Sequence, residues 1–224
     1  MIDYHIHSYF SDGDQTIKEI LATAIRRKLT AIAITDHCDA EGKFMYIRDT
    51  KPPRSLIEYI SEVRAISENS PLKVYLGLEI TAFQNNENMI FPTEFNSLDF
   101  ILIETFFPQK SYFTEFDPVK FAIQLKSQLE IPVGLAHPTI SHIENNFDKI
   151  EKNDIFIELN SDKLISKPQE KEDIFDRLKK LLSDSKVKIS VGSDAHIIFL
   201  IGGVKEIWNF IIANNFKNRL ILPP

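Results

Sequence analysis

Short, almost wholly apolar runs alternate along this chain with longer amphipathic ones. The short runs cover 2–7, 31–35, 74–80, 100–106, 132–136, 155–159 and 188–192. They are rich in Ile, Val, Leu and Phe, the pattern of strands buried on both faces. Between them lie stretches with helical periodicity. In 16–28 the apolar stripe is Ile17, Ile20, Leu21, Ala24 and Ile25, and in 55–68 it is Leu56, Ile57, Ile60, Val63 and Ile66. Both follow the 3.6-residue period of a helix that buries one face. Further helices are expected over 118–129, 172–184 and 204–215, the first of them capped by Asp117 with Pro118 in its opening turn. A short helix is expected over 142–152.

Strand and helix in regular alternation imply a parallel sheet with helical crossovers. An open doubly wound sheet built for a dinucleotide would carry a Gly-rich turn after its first strand. Here that turn reads HSYFSDGD, with one glycine. The expected fold is therefore α/β, an irregular TIM-like barrel closed by seven strands, with its active site at their C-terminal ends. No internal repeat interrupts the pattern, and residues 1–224 are read as a single domain. The stretches 38–54 and 83–95 read as loops, and 215–224 as a closing strand or tail.

Composition narrows the class. At 224 residues, 43% of them hydrophobic, the chain can bury one substantial core. No apolar run approaches the roughly 18 residues that span a bilayer. Met1 leads directly into a strand-like run without a leader pattern, so a cytoplasmic location is expected. The single cysteine, Cys38, excludes an intrachain disulfide and a multi-cysteine zinc site. It is read as a small wall residue rather than a nucleophile. A net charge of −6 argues against nucleic acid as a partner, which requires phosphate-neutralising Lys and Arg. A small phosphorylated substrate remains compatible with that charge. Oligomeric state is not encoded in any pattern visible here.

The residues at the strand ends change the picture most. The first expected strand ends in His5 and His7, the second in His37, the fifth in His137, and the seventh in Asp194 and His196. The third carries Glu79, the fourth Glu104, and the sixth ends in Asn160. In a parallel barrel these ends converge on one face. Positions i and i+2 share a side of a strand, so His5 can face inward with His7, and Asp194 with His196. One histidine at a strand end is an ordinary polar residue. All the histidines except His142 falling at such ends is a different observation, and it points to a metal site. Imidazole and carboxylate ligands suit zinc, manganese or iron. His142 is read as a solvated loop residue, and Trp208 as core packing.

The ordered series HIH, SDG, ITDH, GLEI, LAHP and GSDAH resembles the polymerase and histidinol phosphatase (PHP) family, over nearly the whole chain. The resemblance implies a distorted (β/α)7 barrel holding two or three divalent metal ions and hydrolysing phosphoesters. Carried over by motif, His5, His7 and Asp194 resemble ligands of one metal, with Glu79 bridging to a second and His137 on that second metal. Asp12, His37 and His196 resemble the ligands of a third. One departure stands in the fourth strand. Relatives with a full three-metal cluster often keep a His in a run ending H-x-P, and aligning DFILIETFFP on its Asp and Pro puts Phe106 there. Glu104, two residues earlier, is either a substitute ligand or the partner of a Lys or Arg at the barrel mouth.

These readings make the protein a metal-dependent phosphoesterase that cleaves a small phosphorylated metabolite or nucleotide through a metal-activated water. Asp12 or His196 would protonate the leaving oxygen, and Lys163 is the first choice for binding the phosphate. Arg54, Lys43 and Lys110 are further candidates. Histidinol phosphate is the best-known family substrate, although this chain is short for that branch. A metal-dependent hydrolase of C–N or C–O bonds on the same barrel is the competing enzyme class. A non-catalytic metal-binding protein is the competing non-enzyme.

Overall fold

The computed structural model describes residues 1–46, 54–84, 86–105, 116–161, 163–164 and 168–223. Strands and helices alternate in the order β1 (Ile2–Asp3), α1 (Ile17–Arg26), β2 (Ala31–Ile34), β3 (His37–Cys38), α2 (Leu56–Ser67), β4 (Lys73–Ile80), β5 (Phe100–Ile103), α3 (Pro118–Lys126), β6 (Val133–Leu135), α4 (Ile140–Lys152), β7 (Phe156–Asn160), α5 (Lys171–Ser183), β8 (Ile189–Gly192) and α6 (Lys205–Ala213). All pairings between these strands are parallel, in the order β1-β2-β4-β5-β6-β7-β8. The two-residue β3 resumes the path of β2 and pairs with β4. Closure comes from β8 and the segment after it bonding back to the first strand: Tyr4 N–H donates to Val191 O at 2.7 Å and His7 N–H to Ala195 O at 3.0 Å. A near-closed parallel barrel of seven strands results, as the alternation implied.

The first strand is less regular than its sequence suggests. Its ladder stops at Asp3 and returns only as a bridge between Ile6 and Ala195. The two donors that reach β8 and the segment just after it, Tyr4 and His7, are an odd number of positions apart, whereas a regular strand bonds one neighbour at even spacing. This break resets the alternation, in the manner of a bulge. Tyr4 packs on Tyr75 and Phe100 in the barrel floor, while His5 and His7 meet Glu79 above it. Phe156 extends the floor, its ring 5.9 Å from Phe100. Gly134 makes room for Phe156, since a Cβ there would overlap the ring. The strands are buried because the floor fills one side and the helices cover the other. Ala31, Ile32, Ala33 and Ile34 are all wholly buried.

Local chemistry sets the helix starts. Thr16 and Ser55 form capping boxes with Glu19 and Glu58, and Asp117 accepts from Val119 N and Lys120 N beside Pro118. On α2 the buried face is Leu56, Tyr59 and Val63, while Ile57 is 62% exposed. Tyr59 displaces the expected stripe because its hydroxyl lies 3.0 Å from Ile34 O and 2.9 Å from Gly77 O, between β2 and β4. The segment expected as a short helix is a full one, α4, begun by Thr139. His142 therefore lies in the first turn of a helix and is half-buried, rather than in a solvated loop. Trp208 is partly buried against the core. Residues 215–223 contribute a short 3-10 turn and one bridge, Leu220 to Ile189, rather than a full strand. Among the described residues, no helix is long and apolar enough to cross a membrane.

Candidate active site

The C-terminal ends of the strands bring the expected residues together. His5 and His7 follow β1, His37 lies on β3 and Glu79 on β4, paired in register with each other. Glu104 follows β5, His137 follows β6, and Asp194 and His196 follow β8. Asp12 comes from the turn after the first strand. That turn is pressed onto the strand it leaves, because a Cβ at Gly13 would overlap the backbone of His7.

Donor atoms converge in adjoining groups. Around the first, Glu79 Oε2 lies 3.0 Å from His5 Nε2 and 3.3 Å from His7 Nε2, and Asp194 Oδ1 lies 3.1 Å from His7 Nε2. His5, His7, Glu79 and Asp194 each place one ligand atom within 4.8 Å of the others. Asp12, His37 and His196 form a second such group together with His7. In it His196 Nε2 is 3.3 Å and His37 Nε2 4.0 Å from Asp12 Oδ2. On the opposite flank, His137 Nε2 lies 3.1 Å from Glu79 Oε1 and 3.3 Å from Glu104 Oε1. His37 also belongs to this flank, with Nδ1 3.3 Å from Glu79 Oε2, in a group with Glu79 and Glu104. Glu79 thus touches three imidazole clusters, and Glu104 turns its carboxylate into the site. Phe106 and Lys110 lie outside the described residues.

Protein atoms do not satisfy this arrangement by themselves. His5 Nε2 and His7 Nε2 face each other at 3.0 Å, where only one can carry a proton between them. Among the described residues, His7 Nδ1, His137 Nδ1 and Glu79 Oε1 are buried without a hydrogen-bond partner. The 3.1 Å approach of His137 Nε2 to Glu79 Oε1 is close enough for an ion pair but not aligned as a hydrogen bond. Buried polar groups in native proteins are ordinarily paired. A mixed nitrogen and oxygen donor set of this kind fits divalent zinc, manganese or iron.

Electrostatics agree with that fit. Without a cation, protons on the imidazoles offset the carboxylates. Burial opposes charge on His5, yet Glu158 and Glu79 outweigh it and raise its pKa well above the usual value. Burial likewise opposes charge on His7, but hydrogen bonds to Asp194 and Glu79 hold it up at about 10. Burial disfavours the Asp194 carboxylate as well, and the hydrogen bond from His7 with the charges of His5 and His7 overcomes it and lowers the pKa. For His37 burial prevails, lowering it to about 4.

Backbone conformation at the site is unusual in two places. His137 has φ 33° and Asp194 φ 56°, both in the left-handed region that non-glycine residues seldom occupy. Both are braced by buried acids. Asp3 accepts from Ser193 N at 3.0 Å, Ser193 Oγ at 2.7 Å and Gly202 N at 2.6 Å, fixing the segment that carries Asp194. Glu158 accepts from His137 N at 2.6 Å. A third acid, Asp36, accepts from the backbone and hydroxyl groups of Ser8 and Ser11, holding the turn that presents Asp12. Asp3, Asp36 and Glu158 escaped the sequence reading. Their signal was a carboxylate inside an apolar run, as in the Glu of IFIELNS.

The candidate phosphate-binding cations separate clearly. Lys163 Nζ lies 3.7 Å from Asp194 Oδ2, in a pocket of about 330 Å³ lined by Ser161, Ser193, Asp194 and His196 among others. Lys43 instead pairs with Glu41 at 2.6 Å on the surface, because the 38–46 segment turns its side chain outward. Arg54 is held by Tyr9 and Glu62 and stacks over the Tyr9 and Phe10 rings. Both are thus engaged by protein groups outside the donor cluster. Cys38 is wholly buried and burial pushes its thiol up, which suits a wall residue and not a nucleophile.

Comparison with known proteins settles the family. The PHP domain family model matches residues 3–188. The chain belongs to the PHP domain family. The match ends before the Gly192–His196 segment, and the geometry brings Asp194 and His196 to the same site as the matched residues. Among solved structures, the chain is similar to histidinol phosphate phosphatase from Lactococcus lactis subsp. lactis Il1403, solved with zinc, L-histidinol and phosphate. That similarity has a TM-score of 0.61 at 18% identity, covering 95% of this chain and 93% of the other. It is also similar to a candidate histidinol phosphatase from Listeria monocytogenes, with a TM-score of 0.59 at 14% identity over 93% of this chain and 100% of the other. A chain of an archaeal ribonuclease P complex with mature tRNA shares the fold at a TM-score of 0.52 and 16% identity, over 97% of this chain and 89% of the other. Among curated proteins, none matches the sequence significantly. By family and fold, this PHP domain is a metal-dependent phosphoesterase.

Proposed function

We propose that this PHP domain hydrolyses a phosphomonoester of a small metabolite or nucleotide, using two or three divalent cations. The observation that carries the reading is the sharing of Glu79: its carboxylate faces His5 and His7 on one side and His137 on the other. In this reading His5, His7, Glu79 and Asp194 hold one cation, and Asp12, His37 and His196 hold another. A third, if bound, would be held by Glu79 and His137 with Glu104 as the substitute ligand. Such cations supply Lewis-acid stabilisation of the phosphoryl oxygens and an activated water. The side chains do the rest. Lys163 Nζ, at the edge of the cluster, orients the phosphate by a charge-assisted hydrogen bond. His196 passes a proton to the leaving oxygen in this reading only while its Nε2, 3.3 Å from Asp12 Oδ2, is not committed to a cation. The pocket beside Lys163, about 330 Å³, has room for a compact phosphorylated substrate. The Lactococcus relative's complex with L-histidinol and phosphate makes histidinol phosphate the first compound to test.

The test is phosphate release from a panel of phosphomonoesters, including histidinol phosphate and nucleoside monophosphates, with manganese, zinc or iron added. Hydrolysis of at least one compound that chelator abolishes is expected. Protein that binds metal yet releases no phosphate, while cleaving amide substrates, would overturn the reading.

A further inference from the structure

Glu158 lies on β7, wholly within the protein, and faces two fixed donors and one imidazole nitrogen. His5 Nδ1 lies 2.9 Å from Oε1, Asn160 Nδ2 donates to Oε1 at 3.0 Å, and His137 N–H donates to Oε2 at 2.6 Å. The Asn160 amide cannot turn its oxygen toward Glu158, because that oxygen already accepts from Lys163 N at 3.0 Å. An ionised carboxylate accepts from both fixed donors and can accept from the imidazole nitrogen as well, because among side chains it is the acceptor-only group. The space is tightly reserved as well. A Cβ at Gly192 would strike both Glu158 Oε1 and the Cβ of His5.

We propose that Glu158 is a positioning residue that sets the ligand atoms of two metal positions at once. Through Oε1 it keeps the proton of His5 on Nδ1, which leaves Nε2 as the lone pair facing His7 and Glu79. Through Oε2 it holds His137 in its left-handed backbone conformation, which aims that imidazole at Glu79 and Glu104. A carboxylate behind a metal-binding imidazole orients the ring and raises its basicity. One side chain therefore ties a residue after β1 to a residue after β6. Asn160 extends the tie to Lys163, so the phosphate-binding lysine keeps register with the cluster. The proposal rests on the metal reading above, and its experiment separates the two.

The experiment compares wild-type protein with Glu158→Gln, titrated with Mn²⁺ alone and with Zn²⁺ alone, with nitrogen NMR of the histidine rings alongside. A glutamine can accept from one donor but must turn its own amide hydrogens on another. The variant is expected to lose about tenfold to a hundredfold in metal affinity and to lose the preference for a proton on His5 Nδ1. Glu158→Asp should recover neither, because its shorter stem cannot span His5 and His137. Asn160→Leu, which removes one donor but neither metal-facing contact, should lower affinity less than Glu158→Gln. Should Glu158→Gln not fold, the wild type decides alone. In it, metal-loaded His5 should show an Nδ1 proton protected from exchange. Wild-type protein that binds neither ion would remove the metal reading and the proposal with it. Wild type that binds metal while Glu158→Gln binds it equally, or wild-type His5 with its proton on Nε2, would overturn the positioning role alone.

Discussion

His5 Nε2 and His7 Nε2 stand 3.0 Å apart, and both face the same carboxylate oxygen of Glu79. Two nitrogens at that separation in a buried site share one proton or a cation. The double substitution His5→Ala with His7→Ala should therefore abolish most metal binding and nearly all phosphate release, while the barrel stays folded. Metal content by mass spectrometry and circular dichroism check the two halves of this expectation. A double variant with full metal content would contradict the assignment.

Glu104 occupies a different kind of position. Its carboxylate lies 3.3 Å from His137 Nε2 and is 12% exposed, on the flank away from Asp12. Glu104→Gln should lower occupancy of the metal position beside His137 and leave the other two filled. Anomalous diffraction of wild type and variant at the metal edge reads this directly. Unchanged density at every position would leave Glu104 as a wall of the pocket.

Acid–base behaviour gives a prediction with a definite sign. In the metal-free protein, burial opposes charge on His137 but Glu79 and Glu104 hold it up at about 9, and His7 stands at about 10. A folded pKa above the unfolded value contributes stability fully present below the usual 6.5 and lost as pH rises through about 9 to 10. The melting temperature of metal-free protein should fall across that range. Metal binding must expel the same protons, so affinity for Mn²⁺ should rise with pH over it. Calorimetry in buffers of different ionisation enthalpy measures the release. A binding heat independent of buffer would show that the imidazoles are already neutral.

Lys163 offers a test confined to substrate. It is 37% exposed and its Nζ lies 3.7 Å from Asp194. Lys163→Ala should raise KM for the phosphoester about tenfold, the loss of one charge-assisted hydrogen bond, with metal content unchanged. An unchanged KM would place the lysine outside the substrate's reach.

The alternating pattern of the sequence determined a parallel barrel and placed His5, His7, His37, His137, Asp194 and His196 at the strand ends. It could do so because buried strands and amphipathic helices leave distinct periods, and because topology sends parallel strand ends to one face. The same logic made Glu79 visible, as a carboxylate at a strand end. It did not reveal Glu158, Asp3 or Asp36, although each is a charge within a strand or at its margin. What makes them important is which donors surround them. Those donors come from Ser193 and Gly202 for Asp3, and from His5 and His137 for Glu158, far away along the chain. The same limit applied to Lys163, Lys43 and Arg54, which the sequence could rank but whose partners it could not show. A local turn put Lys43 against Glu41, while tertiary packing put Arg54 across Tyr9 and Phe10 and Lys163 beside Asp194. Periodicity encodes which face a residue takes, and that is local. Which groups meet across the barrel depends on closure, on the break after Asp3, and on the left-handed turns at His137 and Asp194, and these exist only once the strands have come together.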